Sequence, residues 1–321
     1  MSQRTLITGG AGCIGSELAE TLLHLGHDVT VVDNLSSGKE EHIGGLLSNP
    51  RFHFVRGDLL DQDLVDSVVA GQEMVFHLAA NPDVKFTPGD ATDKDLKQNT
   101  VATYHVLESV RRHGVQRLAF SSTSAVYGPS ERQPIPEDNP TRPISLYGAT
   151  KLGCEGMIGA FHHLFAIDCW IFRFANIVGA KVRKTGRTVV GDFIDKLLQD
   201  PSRLQILGDG KQAKSYLLSQ ECIDAMRFVI EHAPHGLQIF NLGCNDSLSV
   251  HRIADMVVEA MDLKNVRYEF TGGDRGWPGD VPRFRLDVTK LNALGWKAAH
   301  TSEEAVGESI RSILEESACR S

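Results

Sequence analysis

Short apolar runs alternate with longer amphipathic stretches through the first half of the sequence. Between the runs, residues 14–25 and 94–113 place apolar side chains at steps of three and four, as helices that bury one face do. The runs are rich in β-branched residues and cover residues 4–10, 27–33, 52–58, 74–80 and 116–122. Strands that alternate with helices predict an α/β fold with a doubly wound parallel sheet of the Rossmann type, which binds ligands at the carboxyl ends of its strands.

The alternation weakens after about residue 176. A basic loop follows at residues 181–187. Turn-rich stretches lie at residues 207–212 and 272–282, and an amphipathic helix is predicted for residues 250–261. We therefore predict that residues 1–176 form mainly a nucleotide-binding domain. Residues 177–321 are predicted to form mainly a smaller C-terminal substrate-binding lobe, with the chain crossing between the two.

Composition and charge argue against several classes of protein. Of the 321 residues 41% are hydrophobic, which suffices for a sizeable core. The formal net charge of −8 disfavours a nucleic-acid binder, since such proteins carry a basic field. The N-terminus lacks a secretory pattern, and no apolar run reaches the roughly 20 residues that span a bilayer. Six scattered cysteines without a CxxC pair predict no metal site, no disulfides and a cytoplasmic location.

Three glycines with GxxGxxG spacing follow the first predicted strand. Gly9, Gly12 and Gly15 stand where a side chain would block the tight turn, the approach of a pyrophosphate or the packing of helix on strand. The helix N-terminus offers free N–H groups to phosphates. Asp33 ends the second predicted strand, where a carboxylate can hold the adenosine ribose diol and repels a 2′-phosphate. This order predicts a dinucleotide site that prefers NAD to NADP.

Tyr147 and Lys151 stand four residues apart in YGATK, at the start of a predicted helix. Their side chains therefore share one helical face. A lysine ammonium beside a phenol favours the phenolate, which could then act as a base near neutral pH. A surface helix would explain the YxxxK pair alone, but the hydroxyl residues 121–123 end the fifth predicted strand upstream. Together they predict an acid/base site.

Seven motifs follow one another along the chain: TGGAGCIG, VVDN, GDL, HLAA, SSTSAVYG, YGATK and RFANIVG. In this order they resemble the motifs of the extended short-chain dehydrogenase/reductase family, in the group of NAD-dependent enzymes that modify nucleotide sugars. The similarity runs from Thr8 to about Trp296.

The resemblance implies NAD as the cofactor and a set of site residues. Thr123 is implied to bond the reacting oxygen of the substrate, Tyr147 to be the acid/base, and Lys151 to hold the nicotinamide ribose while lowering the tyrosine pKa. The implied NAD contacts are Gly9, Gly12, Cys13, Ile14, Gly15, Asp33, Asn34, Ser37, Gly38, Asp58, Leu59, Leu78, Ala79, Ala80, Asn99, Ser121, Tyr147 and Lys151. The implied substrate contacts are Lys85, Thr123, Ser124, Tyr147, Asn176, Arg187, Lys214 and Arg275.

The resemblance also implies a first step in which the tyrosine removes the C4 hydroxyl proton while hydride passes to NAD, giving a 4-keto sugar. Dehydratases of the family carry Asp-Glu directly after the catalytic Thr, and decarboxylases usually keep the Glu. Here Ser124 and Ala125 follow Thr123, so no carboxyl group is at hand for further proton transfers. We therefore expect 4-epimerisation, with a dehydratase, a decarboxylase, a net reductase and a silent nucleotide-sensing protein as alternatives.

Substrate identity stays open between UDP-glucose and UDP-glucuronate. Lys181, Arg183, Lys184 and Arg187 form a basic loop that either is solvated or reads a C6 carboxylate, which a guanidinium matches in shape. Two positions depart from the family pattern and bear on the nucleotide. Lys214 stands where an Arg is frequent, and Trp277 where many relatives have Arg, with Arg275 displaced upstream.

A homodimer through a four-helix bundle is a further implication of the resemblance. Residues 94–113 and 145–165 are the two long helical stretches suited to it. Their apolar residues, which belong either to an interface or to the core, are Val101, Tyr104, Val106, Leu107, Met157, Phe161 and Leu164.

Overall fold

The computed structural model describes residues 2–85, 89, 91–179, 181 and 188–318. Arg183, Lys184 and Arg187, predicted in the basic loop, lie outside these residues.

Strands and helices alternate through the first half of the described chain. The strands are β1 (Arg4–Thr8), β2 (Asp28–Asp33), β3 (Phe52–Arg56), β4 (Met74–His77), β5 (Arg117–Thr123) and β6 (Asp168–Phe174). The helices are α1 (Cys13–His24), α2 (Gln62–Val69), α3 (Ala102–Arg112) and α4 (Leu146–Phe165). Short 3-10 helices span Glu40–His42, Gly44–Leu46 and Ser124–Val126, and a π-helix (Leu96–Val101) leads into α3. All five predicted strands are present.

The second half contains shorter strands. These are β7 (Asn176–Val178), β8 (Arg203–Ile206), β9 (Ala213–Lys214), β10 (Tyr216–Leu218), β11 (Leu237–Leu242), β12 (Leu248–Ser249), β13 (Arg267–Phe270) and β14 (Arg283–Phe284). The helices are α5 (Val189–Gln199), α6 (Ser219–His232), α7 (Val250–Ala260), α8 (Thr289–Leu294) and α9 (Ser302–Ala318). Small sheets pair β7 with β10, β8 with β13, and β9 with both β12 and β14.

Within the described residues, seven parallel strands form the main sheet in the order β3-β2-β1-β4-β5-β6-β11. The chain runs outward from β1 to β3 on one side and from β4 to β11 on the other. The order therefore reverses between β1 and β4, which opens a crevice at the carboxyl ends of these strands. The α/β fold of the Rossmann type is confirmed. β11 comes from beyond residue 176 and forms the edge of the sheet.

Side chains alternate between two core layers on the two faces of the main sheet. Along β6, Trp170 and Phe172 pack with residues of α1 and α6, while Cys169 and Ile171 pack with residues of α3 and α4. Because helices cover both faces, both alternating sets are apolar, and this produces the nearly continuous apolar runs in the sequence. A third cluster lies between α5, α7 and α9 in the second half of the chain.

The start of α4 is fixed by a side-chain cap. Ser145 has an extended backbone, and its Oγ accepts a hydrogen bond from the Gly148 N–H at 3.1 Å. The cap ends the preceding loop at this point and puts Tyr147 in the first turn of the helix. A Cβ on Gly148 would lie 2.7 Å from the Ala125 oxygen, so glycine lets α4 approach the end of β5 closely.

The apolar residues of the two long helices divide between core and surface. Val106 and Leu107 are fully buried in the core, so they are not available to a helix-bundle interface, whereas Tyr104 is 47% exposed and Leu164 67%. Val101, Met157 and Phe161 are half-buried. In the described part of the chain, no helix is both long and apolar enough to cross a membrane.

Candidate active site

A cavity of about 360 Å³ lies at the carboxyl edge of the main sheet, along the crevice where the strand order reverses. Most of the predicted site residues line it. They are Gly9, Gly12, Cys13, Ile14, Gly15, Asp33, Asn34, Ser37, Asp58, Leu59, Leu78, Ala79, Ala80, Ser121, Thr123, Ser124, Tyr147, Lys151 and Asn176. Residues far apart in sequence therefore meet because strands that are parallel end at the same edge.

The glycine-rich turn between β1 and α1 is packed against backbone on several sides. Gly9 has a φ of 69°, and a Cβ there would lie 2.7 Å from the Ala79 Cα. A Cβ on Gly15 would lie 2.4 Å from the Gly9 oxygen, and one on Gly12 would lie 3.1 Å from the same atom. Only glycine fits these positions without a backbone shift. The turn and the open N-terminus of α1 make a cradle that fits a pyrophosphate.

Asp33 braces this turn from the end of β2. Its carboxylate accepts hydrogen bonds from the N–H groups of Ala11 at 3.0 Å and of Leu35 at 2.8 Å. Burial raises the pKa of the Asp33 carboxyl, against the lowering effect of these hydrogen bonds. Gly38 does not line the cavity, but a Cβ there would lie 2.8 Å from Asp33 Oδ2. Its lack of a side chain leaves Asp33 in place.

Asp58 and Asn34 form a second pair on the same side of the cavity. The Asn34 amide donates to Asp58 Oδ2 at 2.8 Å, and the Leu60 N–H donates to Asp58 Oδ1 at 2.9 Å. The pair ties the segment after β2 to the segment after β3. Because both residues face the cavity, they give this end a polar wall suited to the adenine and its ribose.

Tyr147 and Thr123 meet where α4 packs against the end of β5. The Tyr147 phenol and the Thr123 side chain form a hydrogen bond. Burial nevertheless raises the pKa of Tyr147 to about 12. The predicted lowering of the tyrosine pKa by Lys151 is not found. The ammonium instead donates to the Ser121 carbonyl oxygen at 2.7 Å, and it lies 4.4 Å from the centre of the Phe120 ring.

Lys151 itself is fully enclosed by protein, with a relative exposure of 1%. Burial lowers the pKa of its ammonium to about 8, and the negative charge of nearby Glu155 opposes this shift. The lysine is therefore charged in most molecules at neutral pH. A charged donor that reaches the cavity wall beside a phenol can hold a hydroxyl-bearing ligand.

His77, the last residue of β4, is fully buried next to the cavity-lining segment 78–80, and the sequence analysis did not single it out. Its Nδ1 lies 2.7 Å from Thr8 Oγ1, and its Nε2 lies 2.9 Å from Thr103 Oγ1. The Thr103 hydroxyl donates its proton to the Asn99 carbonyl oxygen at 2.6 Å, so it must accept a hydrogen bond from His77 Nε2–H. The neutral imidazole therefore carries its proton on Nε2. Burial lowers the His77 pKa to about 3. The only sequence signal was a polar residue at the end of an apolar strand.

Asn99 supports the cavity without lining it. Its Oδ1 accepts from the Asn81 N–H at 2.8 Å, and its amide donates to Thr150 Oγ1 at 3.0 Å. It thus ties the segment after β4 to α4. Asn99 lies in the π-helix that leads into α3, and single π turns of this kind are frequent at functional sites.

Three predicted substrate residues do not line this cavity. Lys85 and Arg275 are exposed. Lys214 donates to Asp280 Oδ1 at 2.6 Å and lies 4.9 Å from the centre of the Trp277 ring. Arg187 lies outside the described residues. The further lining residues, which were not predicted as site residues, are Val32, Ser36, Gly57, Pro82, Val84, Gln98, Ala102, Ser122, Phe174, Ala175, Ile177 and Thr188. Several of them, such as Pro82, Val84 and Thr188, are loop residues without a motif to mark them.

No group of three or more His, Cys, Asp or Glu side chains suited to a metal ion occurs among the described residues. The groups that line the cavity include hydroxyls, carboxylates and the Lys151 ammonium, next to the backbone of the glycine-rich turn.

The fold and the cavity define a dinucleotide-binding α/β protein with a tyrosine–lysine pair beside the ligand crevice. Residues 5–243 match the model of the NAD dependent epimerase/dehydratase family, and the chain belongs to this family. The predicted family and the predicted NAD cofactor are thereby confirmed. The chain is 31% identical over 311 residues to the UDP-glucose 4-epimerase of Mycolicibacterium smegmatis, a similarity that covers 96% of this chain and 97% of that protein.

Solved structures of the same family superpose on the chain over nearly its whole length. A crystal structure of UDP-galactose 4-epimerase has a TM-score of 0.84 at 37% identity and covers 98% of this chain and 99% of its own. The UDP-glucuronic acid 4-epimerase from Bacillus cereus, in complex with UDP-glucuronic acid and NAD, has a TM-score of 0.88 at 26% identity and covers 97% of this chain and 99% of its own.

We predict that Gly15→Ala lowers the NAD content of the purified protein at least about tenfold, equivalent to about 1.4 kcal/mol. The added methyl group would meet the Gly9 oxygen and displace the cradle. NAD released by acid is quantified by chromatography. Gly45→Ala is the control, because a Cβ there meets nothing within 4 Å. Unchanged NAD content in Gly15→Ala would contradict the assignment of the cradle.

We predict that Lys151→Met raises the thermal stability of the protein at pH 7. The folded-state pKa of about 8 lies below the ordinary value of 10.5, so burying the charged lysine opposes folding at low pH. This destabilisation is fully present below pH 8 and fades as the pH rises from about 8 to 10.5. The stability gain of the variant should shrink over the same range, measured by thermal unfolding. Exposed Lys264→Met is the control, and a gain independent of pH would contradict the prediction.

Proposed function

We propose that the protein is an NAD-dependent 4-epimerase of a UDP-sugar. The observation that carries the proposal is the group formed by Thr123, Tyr147 and Lys151, which lines the cavity beside the glycine-rich cradle. The relatives described above are named UDP-sugar 4-epimerases, and this supports the same reaction.

The cavity residues fit the parts of NAD in order. The cradle at Gly9, Gly12 and Gly15 would hold the pyrophosphate, Asp33 the adenosine ribose and Lys151 the nicotinamide ribose. When bound, NAD supplies a hydride acceptor that returns the hydride in the same turnover, and its positively charged ring favours the phenolate of a nearby tyrosine.

Tyr147 is the acid/base of the proposed reaction. Its phenolate would take the proton of the sugar C4 hydroxyl, and the phenol so formed would return the proton after the sugar has turned over. Thr123, which hydrogen-bonds the phenol, would hold the same sugar oxygen in line. Asn176, the first residue of β7, also lines the cavity, where it can meet the diphosphate of the substrate.

The carboxylates of the cavity favour epimerisation over dehydration. Among the described residues that line it, only Asp33 and Asp58 carry carboxylates. Both lie on the side of β2 and β3 and accept hydrogen bonds from the chain. Beside Thr123 stand Ser124 and Ala125, so no second acid is placed to expel a hydroxyl or to protonate a carbanion. The simplest outcome is return of the hydride to the opposite face of the sugar.

The sugar is UDP-glucose or UDP-glucuronate. One of the relatives above is named a UDP-glucose 4-epimerase and another a UDP-glucuronic acid 4-epimerase, so both sugars are candidates. Thr188, which lines the cavity, directly follows the basic loop that contains Arg187. An arginine from this loop is the candidate group to pair with a C6 carboxylate.

The test follows each sugar by NMR with purified protein and no added cofactor. Conversion of UDP-glucose or UDP-glucuronate to its galacto epimer is expected, because NAD is regenerated in each turnover and stays bound. Tyr147→Phe is expected to lower kcat by about 10²- to 10⁴-fold, the usual contribution of an acid/base group.

Tyr268→Phe is the matched control, because the Tyr268 hydroxyl bonds Asp255 far along the chain from the cavity residues. It should keep the wild-type kcat. No conversion of either sugar, even after NAD is added, would overturn the proposed reaction.

We also propose a homodimer through the outer faces of α3 and α4. Tyr104, Leu164 and Phe165 expose large apolar side chains there, with exposed fractions of 47%, 67% and 41%. Such residues placed together on two helices are typical of an interface. Sedimentation at micromolar concentration should give the mass of a dimer, and Leu164→Glu should give the monomer. A wild-type monomer under these conditions would refute the dimer.

A further inference from the structure

A buried ion pair lies directly behind the candidate catalytic residues. The side chains of Glu155 and Arg173 are each only 5% exposed. Arg173 Nε donates to Glu155 Oε1 at 3.0 Å and Arg173 Nη2 donates to Glu155 Oε2 at 2.7 Å, a bidentate arrangement. The pair joins α4 to β6, and neither residue lines the cavity.

The pair is embedded in a connected hydrogen-bond network. Arg173 Nη1 donates to the Tyr127 hydroxyl at 2.9 Å and to the Glu137 carbonyl oxygen at 2.9 Å. The Tyr127 hydroxyl donates to Asn241 Oδ1 at 2.7 Å. The Ser122 hydroxyl donates to Glu155 Oε1. The network thus links the end of β5, helix α4, strand β6 and the edge strand β11.

Stability alone is a weak reason for such a pair. Moving two charges out of water is unfavourable, and apolar residues of similar volume often give equal or greater stability at such positions. The alternative role of a buried ion pair is to fix one arrangement of the elements that it joins. Glu155 contacts Ser122 at the end of β5, so the arrangement that the pair fixes is that of α4 against the end of β5.

The last three residues of β5, residues 121–123, each contact a residue from a different turn of α4. Tyr147, Lys151 and Glu155 are spaced by four and share one face of the helix. Tyr147 bonds Thr123, the Lys151 ammonium bonds the Ser121 carbonyl oxygen at 2.7 Å, and Glu155 accepts from Ser122. Of the three contacts, only that of Glu155 is backed by a second charged residue.

We propose that Glu155, held in place by Arg173, is a positioning residue that fixes the end of β5 through Ser122 and so sets the placement of Thr123 against Tyr147. The inference rests on the proposed function for the identity of the reacting pair. Glu155 touches no part of the cavity, so it acts through Ser122 and through the helix that carries Tyr147 and Lys151. A displacement near 1 Å of a reacting group can lower the rate about 10²-fold.

The test compares Glu155→Gln, Ser122→Ala and the double variant with the wild-type holoenzyme. Glu155→Gln keeps the volume but loses the charge that pairs with Arg173, and Ser122→Ala removes the hydroxyl that joins β5 to Glu155, at a residue that also lines the cavity. Both are expected to lower kcat about 10- to 100-fold while the KM for the UDP-sugar changes less than about twofold, because the residues that would bind the nucleotide lie elsewhere. If the two residues act through one contact, the double variant is no slower than the slower single variant.

Glu221→Gln is the matched control. Glu221 is another buried carboxylate, with a side-chain exposure of 12%, and its Oε1 accepts from the Ala299 N–H at 2.6 Å far from the cavity. It should lose stability at most and keep kcat. Folded Glu155→Gln with wild-type kcat, or with a raised KM at unchanged kcat, would overturn the proposal. If Glu155→Gln does not fold, the kcat of Ser122→Ala decides.

Hydrogen exchange supplies a readout that does not depend on turnover. Amides of residues 121–125 should exchange faster in Glu155→Gln than in the wild type, and Glu221→Gln should not change them. If these amides exchange faster in Glu155→Gln but the wild-type protein epimerises neither sugar, the proposed function is removed and the role of Glu155 in holding β5 is kept. Unchanged exchange at these amides would remove that role even if the wild type is an epimerase.

Discussion

The seating of α4 on the end of β5 is the interaction on which the candidate site depends. It brings a phenol, an ammonium and a threonine hydroxyl to one wall of the crevice, although they come from separate elements. Gly148 permits the close approach, and the Ser145 cap sets where the helix begins. The seating also buries Lys151, and the resulting desolvation lowers its pKa to about 8. Position and protonation in this site therefore have one common origin.

The cofactor side of the crevice is shaped mainly by backbone. The glycine-rich turn leaves no room for side chains at Gly9 and Gly15, and Asp33 holds the turn by accepting from the Ala11 N–H at 3.0 Å. His77 and Asn99 brace the neighbouring segment after β4 from below. Contacts within the chain thus shape the cofactor side, and groups that are held in place by the protein lose less entropy when a ligand binds.

Features encoded by local spacing could be predicted from the sequence, whereas features that depend on distant partners could not. The strands, the glycine-rich turn, Asp33 and the Tyr147–Lys151 pair follow from periodicity and motif spacing. The partner of Lys214 could not be predicted, because Asp280 lies 66 residues further along the chain. The pKa of Tyr147 likewise depends on how deeply packing buries the phenol, and the spacing of Tyr147 and Lys151 carries no information about depth.

The edge strand β11 ties the two halves of the chain into one folding unit. Residues 237–242 pair with residues 169–174, so the last strand of the main sheet is added after more than 60 intervening residues. A fragment that ends near residue 176 would leave β6 as an open edge, with the unpaired backbone groups that promote association between strands. During synthesis, the main sheet can therefore be completed only after residues 237–242 have left the ribosome.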